Sequence, residues 1–345
     1  MRPLPLLLAL TLVACGSSEP APKEAPAPDA APTEAAQSEA APTEEPAAPG
    51  TKETPVTALP DFDAAWNFND PAATRKAFEE MLAAHPDAPL PWRLELRTQI
   101  ARTHSLARHF DEAHALLDAV DAELVAIDGH ARVEIRSALE RGRCHNSAGD
   151  KAAARPLFEQ AWTAARGSGL DGLAVDAGHM VAIAAMGTDD ELPWGRKALA
   201  LAESSSQPRA RKWRGSLYNN IGWSLHDRGD YQGALAMFDK QIVVRRETGE
   251  EPALRVSLWA RARVLRSMKQ HDEALAVLNA IVETYGDDAT NDGFVHEELA
   301  ENLLATGKDA EAKAAFALAH DKLKMSWVAR AEPERIARLA ELGGQ

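Results

Sequence analysis

Residues 217–238 read LYNNIGWSLHDRGDYQGALAMF. Tyr218, Ile221, Gly222 and Leu225 fall at i, i+3, i+4 and i+7, which is one face of a helix. The chain then breaks at Arg228-Gly229-Asp230, where Gly229 can end the first helix and Asp230 can cap a second. Ala234, Phe238 and Gln241 give that second helix its inward face. Gly222 and Ala234 are small because two helices that cross there must approach closely. A larger side chain would overpack the contact by about 1–3 kcal/mol. That outweighs the roughly 1 kcal/mol that Gly loses in a helix interior.

The same grammar recurs along the chain. Residues 97–120 carry Ile100-Ala101, then Phe110, Ala113 and Leu117. Residues 135–161 carry Gly142, Gly149-Asp150, Ala154 and Phe158, and residues 258–281 carry Ala262, Ala274 and Leu278. Residues 296–319 carry Ala300, Gly307, Ala312, Phe316 and Ala319, and a weaker copy at 176–202 carries Gly195, Leu199 and Ala202. The key small residue therefore falls at Ala113, Ala154, Gly195, Ala234, Ala274 and Ala312, in steps of 41, 41, 39, 40 and 38. Residues 71–86 read as the second helix of an earlier unit. Pro333 can open a last short helix, 334–342, that caps the far end.

This pattern resembles the tetratricopeptide repeat, most closely over 215–248. The resemblance covers nearly all of 61–325 and implies an all-α fold. Six to seven helix hairpins would stack into a right-handed superhelix, each contacting only its neighbours. Steps near 40 instead of the family's usual 34 imply longer helices or loops. The expected function is protein–protein interaction, with a peptide or protein segment held in the concave groove.

If the i, i+3, i+4 face packs, the adjacent stripe of each first helix, about 130° round, lines the concave surface. It holds Arg102 in the first unit, Arg136 and Arg143 in the second, and Asn219, Trp223 and His226 in the fourth. The fifth supplies Trp259, Arg263 and Arg266. Arg and Trp are favoured at recognition surfaces, because the guanidinium fork binds carboxylates and the indole buries much area at small entropic cost. Arg102, Arg143, Asn219, Trp223, Trp259 and Arg263 are therefore the candidate groove residues for an acidic and apolar segment. The competing reading pairs these arginines with Glu95, Glu134 or Glu140 and packs the tryptophans between units. The Lys/Asn carboxylate clamp of chaperone-binding members is not reproduced.

The N-terminus carries a separate message. MRPLPLLLALTLVAC has one basic residue, Arg2, and an apolar run from Leu4 to Ala14 that is too short to span a bilayer. Leu12-Val13-Ala14-Cys15-Gly16 resembles the lipobox of bacterial lipoproteins. The resemblance implies removal of residues 1–14 and acylation of Cys15, which gives a stable membrane anchor at roughly 0.8 kcal/mol per buried CH₂. Gly16, in place of Asp, points by the family's sorting rule to the outer membrane, facing periplasm or cell surface. Residues 17–60 hold 10 Pro, 12 Ala and 8 acidic residues. Such a segment cannot bury enough apolar surface to fold, so 15–60 reads as a disordered tether reaching roughly 40 Å. The repeat domain is expected over 61–345.

Composition excludes some partners. The formal charge of −14 disfavours nucleic acid. Besides Cys15 there is only Cys144, so no internal disulfide is expected. His104, His109 and His114 are five apart, which spreads them round a helix, and no HExxH or Cys–His cluster suggests a metal. No phosphate loop, GxSxG elbow or Ser/Lys pair is present, so neither cofactor nor catalysis is expected. Lipoproteins with such repeats assist assembly of outer-membrane barrels, secretion pores or pili. An alternative is a subunit that binds a small ligand, such as a cell-wall fragment, between Arg143 and the Asn219/Trp223 region.

Overall fold

The structure, a computed structural model, describes residues 59–125, 130–286, 288 and 292–345. The signal, lipobox and tether expectations, down to residue 58, lie outside the described residues.

The chain forms hairpins of two helices. α1 (Pro71–Ala84) packs on α2 (Leu90–Leu106), which pairs with α3 (Phe110–Leu124). The next hairpins are α4 (Ala131–Ala148) with α5 (Lys151–Gly167), and α6 (Asp171–Ala184) with α7 (Glu191–Ser204). A four-residue helix, α8 (Pro208–Arg211), interrupts the series. It continues with α9 (Arg214–Asp227) and α10 (Tyr231–Thr248), then α11 (Glu251–Ser267) and α12 (His271–Tyr285). The last hairpin is α13 (Gly293–Ala305) with α14 (Asp309–Leu323), followed by α15 (Trp327–Ala331) and α16 (Pro333–Gly343). Each hairpin contacts the next, which makes a stacked helical solenoid.

The turns follow from local chemistry. Gly149 and Gly229 end α4 and α9 with φ of 92° and 80°, the left-handed conformation that frees the helix's last carbonyls for capping. Asp150 and Asp230 then accept from the backbone N–H of Ala153 and Gly233, at 3.0 and 2.9 Å, satisfying one orphan donor of each second helix. At the equivalent turns after α2 and α11, Arg108 and Lys269 take the same backbone with φ of 63° and 62°.

Packing repeats with the turns. Leu117, Phe158, Phe238, Leu278 and Phe316 are fully enclosed, one in each hairpin except α6–α7. Sixteen residues before each stands Ala101, Gly142, Gly222, Ala262 or Ala300, also buried. A Cβ on Gly142 would lie 2.5 Å from Cε1 of Phe158, and one on Gly222 would lie 2.8 Å from Cζ of Phe238. The glycines are therefore the seats of the aromatic rings. Ala113, Ala154, Ala234, Ala274 and Ala312 are buried on the facing helices. Gly195 is buried too, though in its unit the close approaches are Gly178 to Trp162 and Gly195 to Ile221.

One core runs from α4 to α13, with smaller clusters at either end. At the far end Leu339 of α16 is buried with Phe316 and Leu323. At the near end Phe62 packs on Phe78 and Trp92, and Trp66 packs on Phe78. Residues 61–68 are thus built into the first hairpin.

A ladder along the first helices and a chamber beside it

The stripe expected to line the inner surface links each first helix to the next. Between α2 and α4, Arg132 and Arg136 hold Glu95 at 2.5 and 2.6 Å, and Arg102 approaches Glu140 at 3.8 Å. Arg143 of α4 reaches Asp176 of α6 at 2.5 Å while also holding Glu140 at 2.8 Å. The next rung is Asn220 Nδ2 donating to His179 Nε2 at 2.8 Å. Between α9 and α11 the rings of Trp223 and Trp259 lie 5.9 Å apart, and His226 Nε2 is 2.9 Å from Ser267 Oγ. Trp259 Nε1 donates to the Phe294 carbonyl at 3.1 Å, and Arg266 holds Glu298 at 2.5 Å. Arg335 and Arg338 of α16 complete the series on Glu297 and Glu301.

Charge in this ladder is self-contained. Burial alone would raise the Asp176 carboxyl pKa, but Arg143 and Arg102 hold it below the usual carboxylate range. Burial likewise opposes the charge of Arg136, yet Asp63 and Glu95 more than offset it and raise its pKa. His179 is pushed down to about 4, chiefly by burial and only partly countered by Asp176, so its imidazole is neutral at pH 7. Arg263 has its pKa lowered by burial first and then by the neighbouring Arg266.

The predicted groove residues are therefore mostly walls between repeats. Asn219 is 6% exposed, Trp223 and Trp259 7% each, and Arg143 9%, whereas an open groove needs them accessible. The reason is that neighbouring first helices sit close enough for stripe residues to reach one another before they reach solvent. Arg102, Arg263 and Arg266 remain partly accessible at the rim. The space beside His179, Asn220 and Ser224 is a cavity of about 20 Å³, room for one water. Cys144 is fully buried on α4, and burial raises its thiol pKa, the reverse of an activated nucleophile. Among the described residues, no group of three or more His, Cys, Asp or Glu is placed to hold a metal.

A second feature escaped the periodic reading. Asp63 accepts from both Arg136, at 2.7 and 2.8 Å, and Arg209 of α8, at 2.6 Å. Burial opposes its ionisation, but Arg136, Arg209 and Arg132 hold its carboxyl pKa below the usual value. Trp66 and Phe68 stack at 4.6 Å, and the Arg102 guanidinium lies over both rings. These groups, with Lys212 and Trp213, line a chamber of about 270 Å³. The signal that could have found it was Asp61-Phe62-Asp63 with Trp66 and Phe68, aromatics that no disordered tether carries.

Residues 213–285 match the family model for the tetratricopeptide repeat. The match covers α9 to α12, where the quoted stretch lies. Solved structures extend the likeness as fold. A signal transduction ATPase with numerous domains and a tetratricopeptide repeat sensor, from Pyrococcus horikoshii, aligns with a TM-score of 0.63 at 14% identity. The alignment covers 77% of this chain and 42% of that one, so this chain spans well under half of that protein. BtubC (BKLC) from P. vanneervenii aligns with a TM-score of 0.50 at 13% identity, covering 62% of this chain and 88% of that one. Aspartyl phosphate phosphatase F from Bacillus subtilis gives 0.50 at 14%, covering 77% and 74%. No curated protein matches the chain.

Proposed function

We propose that this protein is an adaptor of the bacterial cell envelope, anchored through a lipidated Cys15, whose solenoid holds a protein or peptide segment. The observation that supports it is the array of helix hairpins, whose first helices form a continuous inner wall. Solenoids of this kind offer extended surfaces built for partners. Along that wall, Arg102, Arg263 and Arg266 keep part of their side chains at the rim. They suit a segment with carboxylates, which a guanidinium binds by two parallel hydrogen bonds. The Pyrococcus neighbour carries its repeats as a sensor.

The anchor and the partner are tested separately. Metabolic labelling with an alkyne fatty acid should tag the wild-type chain and leave Cys15→Ser unlabelled. Equal labelling of both removes the anchor. A photo-crosslinking amino acid at Arg263 or Arg266 should yield a discrete protein adduct in intact cells. No adduct from either rim position, with the fold intact by circular dichroism, removes the adaptor reading.

A further inference from the structure

The chamber between residues 61–68 and α8 has features that the repeating wall does not explain. Asp63 spans from the first turns of α4 to α8, so the chain's own segment already crosses the inner strip here. An extended peptide running along the first helices meets that crossing. What remains is an open cleft of about 270 Å³, close to the scale of small-molecule sites.

Its walls divide into two kinds. One side is aromatic, formed by the stacked Trp66 and Phe68, which carry the Arg102 guanidinium over their rings, with Trp213 and Leu173. The other is cationic, formed by Arg132, Arg136, Arg209 and Lys212. The two acids on the walls are already engaged, Asp63 by three arginines and Asp176 by Arg143 from behind. Glu95 and Asp61 satisfy further guanidinium charge. Among the described residues Lys212 has no ion-pair partner, and its side chain is exposed at the chamber's edge. α6 also begins without a side-chain cap, and Gly172 and Leu173 of its first turn line the space. A lysine therefore stands at the edge of a cleft with an aromatic wall.

We infer that the chamber is a binding site for a small organic carboxylate with a planar apolar body. The body lies against Trp66, Phe68 and Trp213, and the carboxylate meets Lys212 and Arg209. This goes beyond the adaptor reading and does not depend on it.

The test uses the full chain in detergent with benzoate, phenylacetate and indole-3-acetate as probes, read by saturation-transfer NMR and calorimetry. At least one carboxylate should bind, and its neutral amide should bind at least tenfold more weakly. Lys212→Glu should weaken the carboxylate at least tenfold while leaving the melting temperature unchanged. Arg209→Gln should act in the same direction. Inorganic phosphate should not compete at equal concentration, because it lacks the planar body. Four outcomes each overturn the proposal: no binding by any of the three, equal binding of acid and amide, full binding in Lys212→Glu, or displacement by phosphate at equal concentration. Crosslinking from Arg263 to a protein would survive any of these, so the two readings fail independently.

Discussion

Replacing Gly222 with Ala places a new carbon 2.8 Å from Cζ of Phe238 and about 3 Å from both Cε atoms. Real Cβ atoms do not approach that closely, and the ring is fully enclosed, with Trp223 5.2 Å away on one side. The ring must shift into packed neighbours, which costs about 1–3 kcal/mol. Helix propensity returns about 1 kcal/mol for Gly→Ala. The expected net is a loss of about 1 kcal/mol, whereas propensity alone predicts a gain of the same size. The chain contains its own compensation: Ala101 and Ala262 face Leu117 and Leu278, while Gly142 and Gly222 face phenylalanines. The terminal hairpin holds Ala300 and Phe316 together in one buried cluster, so the pairing is not forbidden outright. Phe238→Leu alone should cost about 1–2 kcal/mol through the space it leaves. Combined with Gly222→Ala, the loss should fall short of the sum by about 1 kcal/mol. Urea unfolding followed by circular dichroism measures all four corners of the cycle. Additive losses, or a stabilised Gly222→Ala, would refute the view that ring and glycine are a fitted pair.

Lys269 adopts a left-handed backbone that glycine tolerates at no steric cost, so Lys269→Gly should raise stability by about 0.5–1 kcal/mol; a lowered urea midpoint would contradict this. His179 has a folded pKa of about 4 against an ordinary 6.5, so the unfolded chain binds its proton first. Stability should therefore be complete above pH 6.5 and lose on the order of 3 kcal/mol as pH falls to about 4. Burial shifts His104 and His114 in the same direction. Melting curves of wild type and His179→Gln across this window should converge at acid pH, and parallel curves would rule His179 out. Arg143→Met removes the cation between two buried carboxylates and should cost about 3–5 kcal/mol. A loss under 1 kcal/mol in urea titration would show that Asp176 and Glu140 find other partners or take up protons.

The fold was legible because its determinants are local and periodic. Gly229 followed by Asp230 fixes a turn by backbone conformation and one capping bond, and Gly222 followed sixteen residues later by Phe238 fixes a crossing. The site was less legible because its contacts lie one repeat or more away. Arg143 finds Asp176 at a separation of 33 residues and Arg266 finds Glu298 at 32. A stripe drawn on a single helix cannot show that its residues face acids on the next. It placed Trp223 and Trp259 on a surface, and the neighbouring helix covers them. Asp63 lies 146 residues from Arg209 and outside any period, so no spacing argument reaches it. α8 begins at Pro208 and ends within one turn, too short for periodicity to register.

The irregular parts of the chain meet in one place. A repeat array gains stability from identical interfaces, and each departure from the pattern forgoes some of that regular packing. Here the departures are the aromatic segment 61–68, the inserted α8, and α6–α7, the hairpin whose sequence follows the repeat least. All three come together at the chamber, where Asp63 joins the first to the second and Gly172 of α6 lies against Arg209, with only 3.0 Å between its missing Cβ and that of Arg209. At the far end, by contrast, Arg335 and Arg338 continue the ladder onto α16 and close it with the same guanidinium–carboxylate chemistry as the Arg143–Asp176 and Arg266–Glu298 rungs. Stability alone would be served by that kind of ending at both ends. The near end instead holds a half-buried carboxylate among three arginines, which demands accurate geometry and yields modest net stability. Local departures from a consistent pattern mark functional sites, and that asymmetry is why the chamber, more than the regular stripe, is where a ligand is to be sought.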